Sequence, residues 1–220
     1  MIVVVDTETT GLDPVNDRIC ELASVIVWDG EIGTTHTTLV NPEREIPIVA
    51  SGIHHITDEH VRNAPVLKRA IPEVIPLAAA YYAAHNAQFD RQFLPMLQDK
   101  DWICTYKCAQ RLLPNAPSYS NQALRYYLKL HVEEMDGRAG QPHSALYDAR
   151  TTAKILIHLL GLATAEELVQ ITREPTVLNK MPFGKYRGLP FTEVPKDYLQ
   201  WLKGRDNLDE DLSHTLAKHV

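Results

Sequence analysis

Ile2-Val3-Val4-Val5-Asp6-Thr7-Glu8-Thr9-Thr10-Gly11 is the stretch on which the reading of this chain turns. Four apolar β-branched residues predict a buried strand, and it runs without a break into two acids one residue apart. Side chains alternate between faces along a strand, so Asp6 and Glu8 point to the same side. Two carboxylates held side by side at the end of a buried strand repel each other, and burial adds a desolvation cost. A divalent cation between them relieves both, and hard oxygen ligands suit Mg²⁺ or Mn²⁺. Acids at strand ends are also common as solvated caps, so this stretch alone leaves a metal site and a cap both open. Thr9-Thr10-Gly11 then turns the chain, with Gly11 free to take a positive φ.

Length and composition bound the answer. At 220 residues there is room for one ordinary domain and a small appendage. A hydrophobic content of 45% fits a globular protein with a sizeable core. No basic n-region precedes the first strand, so no signal peptide is expected. The longest apolar run, residues 75–84, is broken by Pro76 and is too short for a bilayer. Cys20, Cys104 and Cys108 are odd in number and form no CxxC pair, as expected of thiols in a cytoplasmic protein without a disulfide framework. The net charge of −6 counts mildly against a nucleic-acid partner, although whole-chain charge hides local patches and bound ions.

Along the chain, residues 19–27 read as a second strand and Asp29-Gly30 as a hairpin turn. A third strand near residues 34–40 stops at Asn41-Pro42, giving an antiparallel meander. Residues 42–56 read as a loop, and Thr57 as the cap of a short helix. A helix is expected over residues 66–78, with Pro72 and Pro76 blurring its end. Tyr81–His85 reads as a strand, 89–97 as a helix, 102–105 as a strand, and 105–113 and 120–128 as helices. Pro142-His143-Ser144 leads into a long helix over residues 145–160, where Ala149, Ala153, Leu156 and Leu160 recur at helical spacing. Strands alternating with helices after a meander indicate an α/β domain with a mixed five-stranded sheet flanked by helices.

The chemistry lies in the acids of this map. Asp90 falls near a helix start close to a strand end, Asp148 one turn into the long helix, and His143 five residues earlier in its leading loop. Four carboxylates can hold two divalent ions ~3.5–4 Å apart, as in two-metal phosphoryl-transfer sites. A histidine beside them, with an ordinary pKa of about 6.5, suits a general base near neutral pH.

The order Asp6-Thr-Glu8-Thr-Thr-Gly11, His85-Asn86-Ala-Gln-Phe89-Asp90 and His143-x₄-Asp148 resembles the three motifs of the DEDDh 3′→5′ exonucleases, over roughly residues 1–160. Arg18-Ile19-Cys20-Glu21-Leu22-Ala23 and Gly52-Ile53-His54 add to the resemblance. It implies an RNase H-like fold and a two-metal hydrolysis that releases 5′-mononucleotides. It makes Asp6, Glu8, Asp90 and Asp148 the ligands of two Mg²⁺, with Mn²⁺ as substitute, and His143 the general base. Thr7 and Gly11 would offer backbone N–H groups near the 3′ end, Leu12 and Phe89 would pack on the terminal nucleotide, and His54 would touch it. A core role for Phe89 stays open, and His55 has no counterpart in the family and is expected on the surface. Asn86 is expected to tether its turn.

Residues 1–165 are therefore expected to form the exonuclease domain and 176–220 a small accessory module. Within the latter, Met181-Pro182-Phe183-Gly184-Lys185-Tyr186-Arg187-Gly188 resembles a Phe-Gly-Lys-Tyr module that follows the nuclease in one bacterial group of the family. Lys185 and Arg187 interleaved with aromatics suit phosphates and stacked bases; equally, the aromatics could be a tiny core. Two Mg²⁺ would leave about −2 of the net charge, a poor surface for tracking a backbone, so a distributive enzyme is expected. The resemblance implies DNA 3′ ends, single-stranded or duplex, in repair, with RNA trimming as the rival, no membrane, and monomer or homodimer both open. A phosphatase of the haloacid-dehalogenase type would need Asp where Glu8 stands, and a catalytically silent binding module would not need all five site residues.

Overall fold

In the computed structural model, which describes residues 1–132, 137–206 and 208–220, the chain forms two compact units, Met1–Thr172 and Arg173–Val220. The first is built on β1 (Ile2–Thr9), β2 (Ile19–Trp28) and β3 (Glu31–Leu39), which pair antiparallel. β4 (Tyr81–Ala84) then adds parallel to β1, and β5 (Trp102–Cys104) parallel to β4, giving the order β3-β2-β1-β4-β5. The mixed five-stranded sheet with its opening meander is the one the sequence predicts.

Helices α1 (Ile48–His54), α2 (Asp58–Val61), α3 (Leu67–Val74) and α4 (Ala87–Phe93) are followed, after β5, by α5 (Thr105–Leu112), α6 (Asn121–Tyr127), α7 (Ala145–Leu160) and α8 (Ala165–Arg173). The alternation of β1 divides the core into two layers. Val3 and Val5 pack with residues of α3 and α4, whereas Ile2 and Val4 pack with residues of α5, α6, α7 and α8. Burial of these fully enclosed aliphatic side chains contributes roughly 1.5–3 kcal/mol each. Long α7 is the central strut of its layer, with ten of its residues buried.

Three readings are corrected. Residues 48–54 form α1 rather than loop, because burying Ala50 and His54 outweighs the weak helix propensity of Ile48, Val49, Gly52 and Ile53. The helix expected over residues 66–78 ends at Val74, since Ile75 is extended in front of Pro76. The helix expected from Phe89 starts two residues earlier at Ala87 and breaks at Leu94 before Pro95, leaving only a 3-10 turn over Pro95–Leu97. Gly11 does not adopt a positive φ. Its constraint is space, for a Cβ there would stand 2.3 Å from Asp17 Oδ2.

The second unit carries α9 (Lys196–Lys203) and α10 (Glu210–His219), the latter capped by the Asp209 carboxylate accepting from the Asp211 and Leu212 N–H groups. Its core is Met181, Phe191, Val194, Leu199, Leu202, Leu212 and Leu216. Among the described residues no single helix is long and apolar enough to cross a membrane; α7 and α8 together reach that length but are bent by 108°.

Candidate active site

The parity that splits the core continues into the acids. Asp6 and Glu8 share the face of Ile2 and Val4, the side on which α7 packs, and Thr7 shares the face of Val3 and Val5, the side of α4. Asp148 sits in the first turn of α7, and one oxygen each of Asp6, Glu8 and Asp148 lie within 4.8 Å of one another. Asp90, in the first turn of α4 and only 3% exposed, accepts the Thr7 hydroxyl hydrogen at 2.8 Å. Because β4 lies beside β1, the turn leaving β4 delivers α4 to the acidic end of β1. Asn86 makes that turn in the left-handed conformation, at φ 67°, which Asn tolerates better than most residues.

The acids resist ionising together. Burial, then the charges of Asp90, Asp148, Glu8 and Glu21, hold the Asp6 carboxyl well above the usual carboxylate range. Burial pushes Asp90 up to about 7, while the hydroxyl and backbone N–H of Thr7 pull the other way. Asp148 is raised by burial and drawn back by the His143 N–H, the His143 charge and the Gln122 amide. A cluster of hard oxygen donors that repel one another when charged fits a divalent cation.

His143 is exposed and left-handed, at φ 64°, and its backbone N–H donates to Asp148 Oδ2 at 2.8 Å. That bond folds the loop back over the acid while leaving the ring in solvent. Three further residues surround the same carboxylates. Glu21 stands opposite Glu8 across β1 and β2, is 3% exposed, and accepts the Ala145 N–H at 2.8 Å at the start of α7. Gln122 donates to Asp148 Oδ1 at 3.2 Å, and Asn121 to the Asp148 carbonyl at 3.3 Å and to Thr152 Oγ1 at 2.7 Å. The only signal for them in the sequence was that Glu21 falls inside a stretch of the resemblance.

The residues expected to contact substrate lie in different settings. Leu12 is 80% exposed on the loop after Gly11. Its loop is organised by the Asp17 carboxylate, which accepts from Thr10 Oγ1, the Asp13 N–H and Arg44. Thr7 directs its hydroxyl to Asp90 and so enters as a support of that acid. Phe89 is half-buried against Phe93, with ring centroids 5.2 Å apart. His54 is buried: Nδ1 accepts the Ile56 N–H at 3.0 Å and Nε2 lies 3.6 Å from Cys20 Sγ. His55 is exposed and left-handed at φ 60°. Lys185 and Arg187 belong to the second unit, where both are exposed. His85, whose pKa burial lowers to about 4, bridges Thr105 Oγ1 and the Tyr119 carbonyl and is thus a neutral tie behind the turn.

Compared with known proteins, residues 3–156 match the family described as Exonuclease, of the RNase T type. Residues 166–219 match a family described as a proposed quorum-sensing-regulated virulence factor. Exodeoxyribonuclease 10 of Escherichia coli strain K12 is 40% identical over 226 residues, spanning 100% of this chain and 99% of that protein. The PolC-type DNA polymerase III of Thermotoga petrophila is 38% identical over 173 residues, spanning 73% of this chain and 12% of that protein. Among solved structures, exonuclease X in complex with 5′-overhanging duplex DNA matches with a TM-score of 0.70 at 41% identity, over 78% of this chain and 99% of that one.

Proposed function

Given that this chain belongs to the exonuclease family and is a 3′→5′ exonuclease, we propose that it shortens DNA from the 3′ end, releasing 5′-mononucleotides in DNA repair. The observation that carries the reading is the grouping of the Asp6, Glu8 and Asp148 oxygens within 4.8 Å on one strand end and one helix start. The similarity to an exodeoxyribonuclease along its whole length, and to a nuclease solved with duplex DNA, supports DNA as the polymer.

Asp6, Glu8 and Asp148 would hold one Mg²⁺, and Asp6 a second with Asp90 contributing through water. Bound there, the cations supply charge neutralisation at the phosphate and an acidified water. Asp90 is kept in place by Thr7, and Asp148 by the His143 N–H and Gln122. A ring nitrogen of exposed His143 takes the proton of the attacking water as it adds to the terminal phosphorus, and the 3′ oxygen of the penultimate nucleotide leaves. Leu12, exposed on the loop that follows Gly11, would pack on the terminal base. Three free, buried cysteines fit work in the reducing cytoplasm.

The test is digestion of matched 5′-labelled DNA and RNA oligonucleotides, single- and double-stranded, with Mg²⁺ and with EDTA. DNA should shorten only with Mg²⁺, and Asp6→Ala or His143→Ala should abolish this while leaving DNA binding in EDTA. Faster digestion of RNA would reject the substrate; full activity of either variant would reject the site.

A further inference from the structure

The second unit has an aromatic surface that its own core uses only in part, Tyr186 and Tyr198 packing against it. Met181, Phe191, Val194, Leu199, Leu202, Leu212 and Leu216 close that core, yet Trp201 is left 55% and Phe183 46% exposed. Trp201 and Tyr198 lie three residues apart on α9 and so share a helix face. Their ring centroids are 5.3 Å apart, and Tyr186 continues the run at 4.8 Å from Tyr198. Gly184 lets the intervening turn close against this row: its φ is 76°, and a Cβ there would meet Tyr198 Oη at 2.8 Å. A cation flanks each end, with Lys185 Nζ 5.2 Å from the Tyr186 centroid and the Arg205 guanidinium carbon 5.3 Å from that of Trp201.

The row lies in a locally basic stretch of an acidic chain. The whole chain carries −6, whereas residues 180–205 hold six Lys and Arg against two acids. Trp201 offers an exposed face to an unpaired base. Tyr198 and Tyr186, half-buried against the core and tilted at 38° and 75° along the row, extend that aromatic surface, and the cations offer positive charge to the phosphates. A duplex keeps its base faces stacked inside and could use only the charges. We propose that the Tyr186–Tyr198–Trp201 row, with Lys185 and Arg205, is a binding site for about two or three nucleotides of single-stranded DNA. This deepens the nuclease reading and rests on it for the choice of polymer. The site retains a strand by stacking, without reading its sequence.

The experiment uses the full chain in EDTA with a fluorescein-labelled oligothymidylate of about a dozen nucleotides, followed by anisotropy and by tryptophan quenching. Trp201→Ala should weaken binding about tenfold, the span expected for losing one stacked base. Trp201→Phe should keep most of the affinity while removing most of the quenching. Lys185→Ala combined with Arg205→Ala should weaken binding and flatten its salt dependence. In Mg²⁺, all of these variants should hydrolyse a nitrophenyl ester of a single nucleotide like the wild type. Failure of the wild type on that ester would count against the nuclease reading, and leaves the EDTA binding result to decide this one. Wild-type affinity in Trp201→Ala overturns the proposal. So do an equal loss in Trp201→Phe with a lowered Tm, binding of RNA but not DNA, or binding of anionic vesicles but not DNA.

Discussion

At the scale of single residues, Asp90 is the acid whose burial has the clearest consequence. Its folded pKa of about 7 exceeds the ordinary 3.8, so the folded protein holds a proton that the unfolded chain has released. The stability this represents is present in full below the unfolded value and is lost as pH rises through about 7. Without metal, the ionised, enclosed carboxylate then costs on the order of a few kcal/mol. Asp90→Asn keeps an oxygen for the Thr7 hydroxyl and removes the charge. In EDTA it should raise Tm by several degrees at about pH 8 and leave it nearly unchanged at about pH 4. Mg²⁺ should stabilise the wild type at the higher pH more than this variant. Scanning calorimetry at the two pH values decides the matter, and an equal effect at both rejects the burial argument. Thr7 gives a second, independent prediction. Thr7→Val preserves volume but removes the donor to Asp90, and loss of a support of this kind costs ~10–100-fold in activity. Thr7→Ser should restore it, and equally poor activity in both variants would count against the hydroxyl's role.

At the scale of elements, the site is the meeting of β1 with α4 on one face and α7 on the other. Glu21 fixes the second of these junctions. Its buried carboxylate receives the Ala145 N–H at the positive end of α7, three residues before Asp148. Glu21→Gln should destabilise the fold by about 1–3 kcal/mol, because a charge-assisted bond becomes a neutral one. It should lower kcat more than it raises KM, since Asp148 shifts with the helix start. Denaturation and steady-state kinetics test both halves; a fall in stability with unchanged kcat would confine Glu21 to the fold. These junctions also mark how far the sequence could be read. β1 and α7 were legible because their signals are local, an unbroken run of apolar β-branched residues in Ile2–Val5 and apolar residues at helical spacing from Ala149 to Leu160. Helix α1 was not, because Gly52 and three β-branched residues in seven disfavour it and only tertiary burial forms it. Helix α8 carried a signal that went unread, the reciprocal Thr164 and Glu167 capping pair ahead of its buried Leu168 and Val169. Gln122 and Glu21 reach partners 26 and 124 residues away, and no local pattern announces such contacts. The freedom of φ at Gly11 is not used; what bears on that position is the space beside Asp17, which no local pattern shows.

At the scale of the whole molecule, charge sets how DNA is held between cuts. An enzyme that slides along a backbone needs a broad basic track, and its binding then falls steeply with salt. This chain carries 28 acidic against 22 basic residues, and four of the acids are the proposed ligands, so a metal-loaded site still leaves no net positive field. Basic excess occurs only in short stretches, such as residues 180–205 and residues 102–132, each enough for a few phosphates. With about two phosphates neutralised on a single strand, the slope of log affinity against log salt should lie near −1 to −2. Each encounter should therefore end after one or a few nucleotides. Labelled DNA, preincubated with enzyme and started with Mg²⁺ together with excess unlabelled trap, should yield products shortened by only a few nucleotides. Without trap, the ladder should descend evenly through all lengths. Variants lacking Trp201 should shorten the first burst further while leaving hydrolysis of the small ester untouched, because stacking lengthens residence without entering the chemistry. Long runs of digestion in the presence of trap, or a slope as steep as about −7, would mean that a larger basic surface grips the strand than this charge distribution provides.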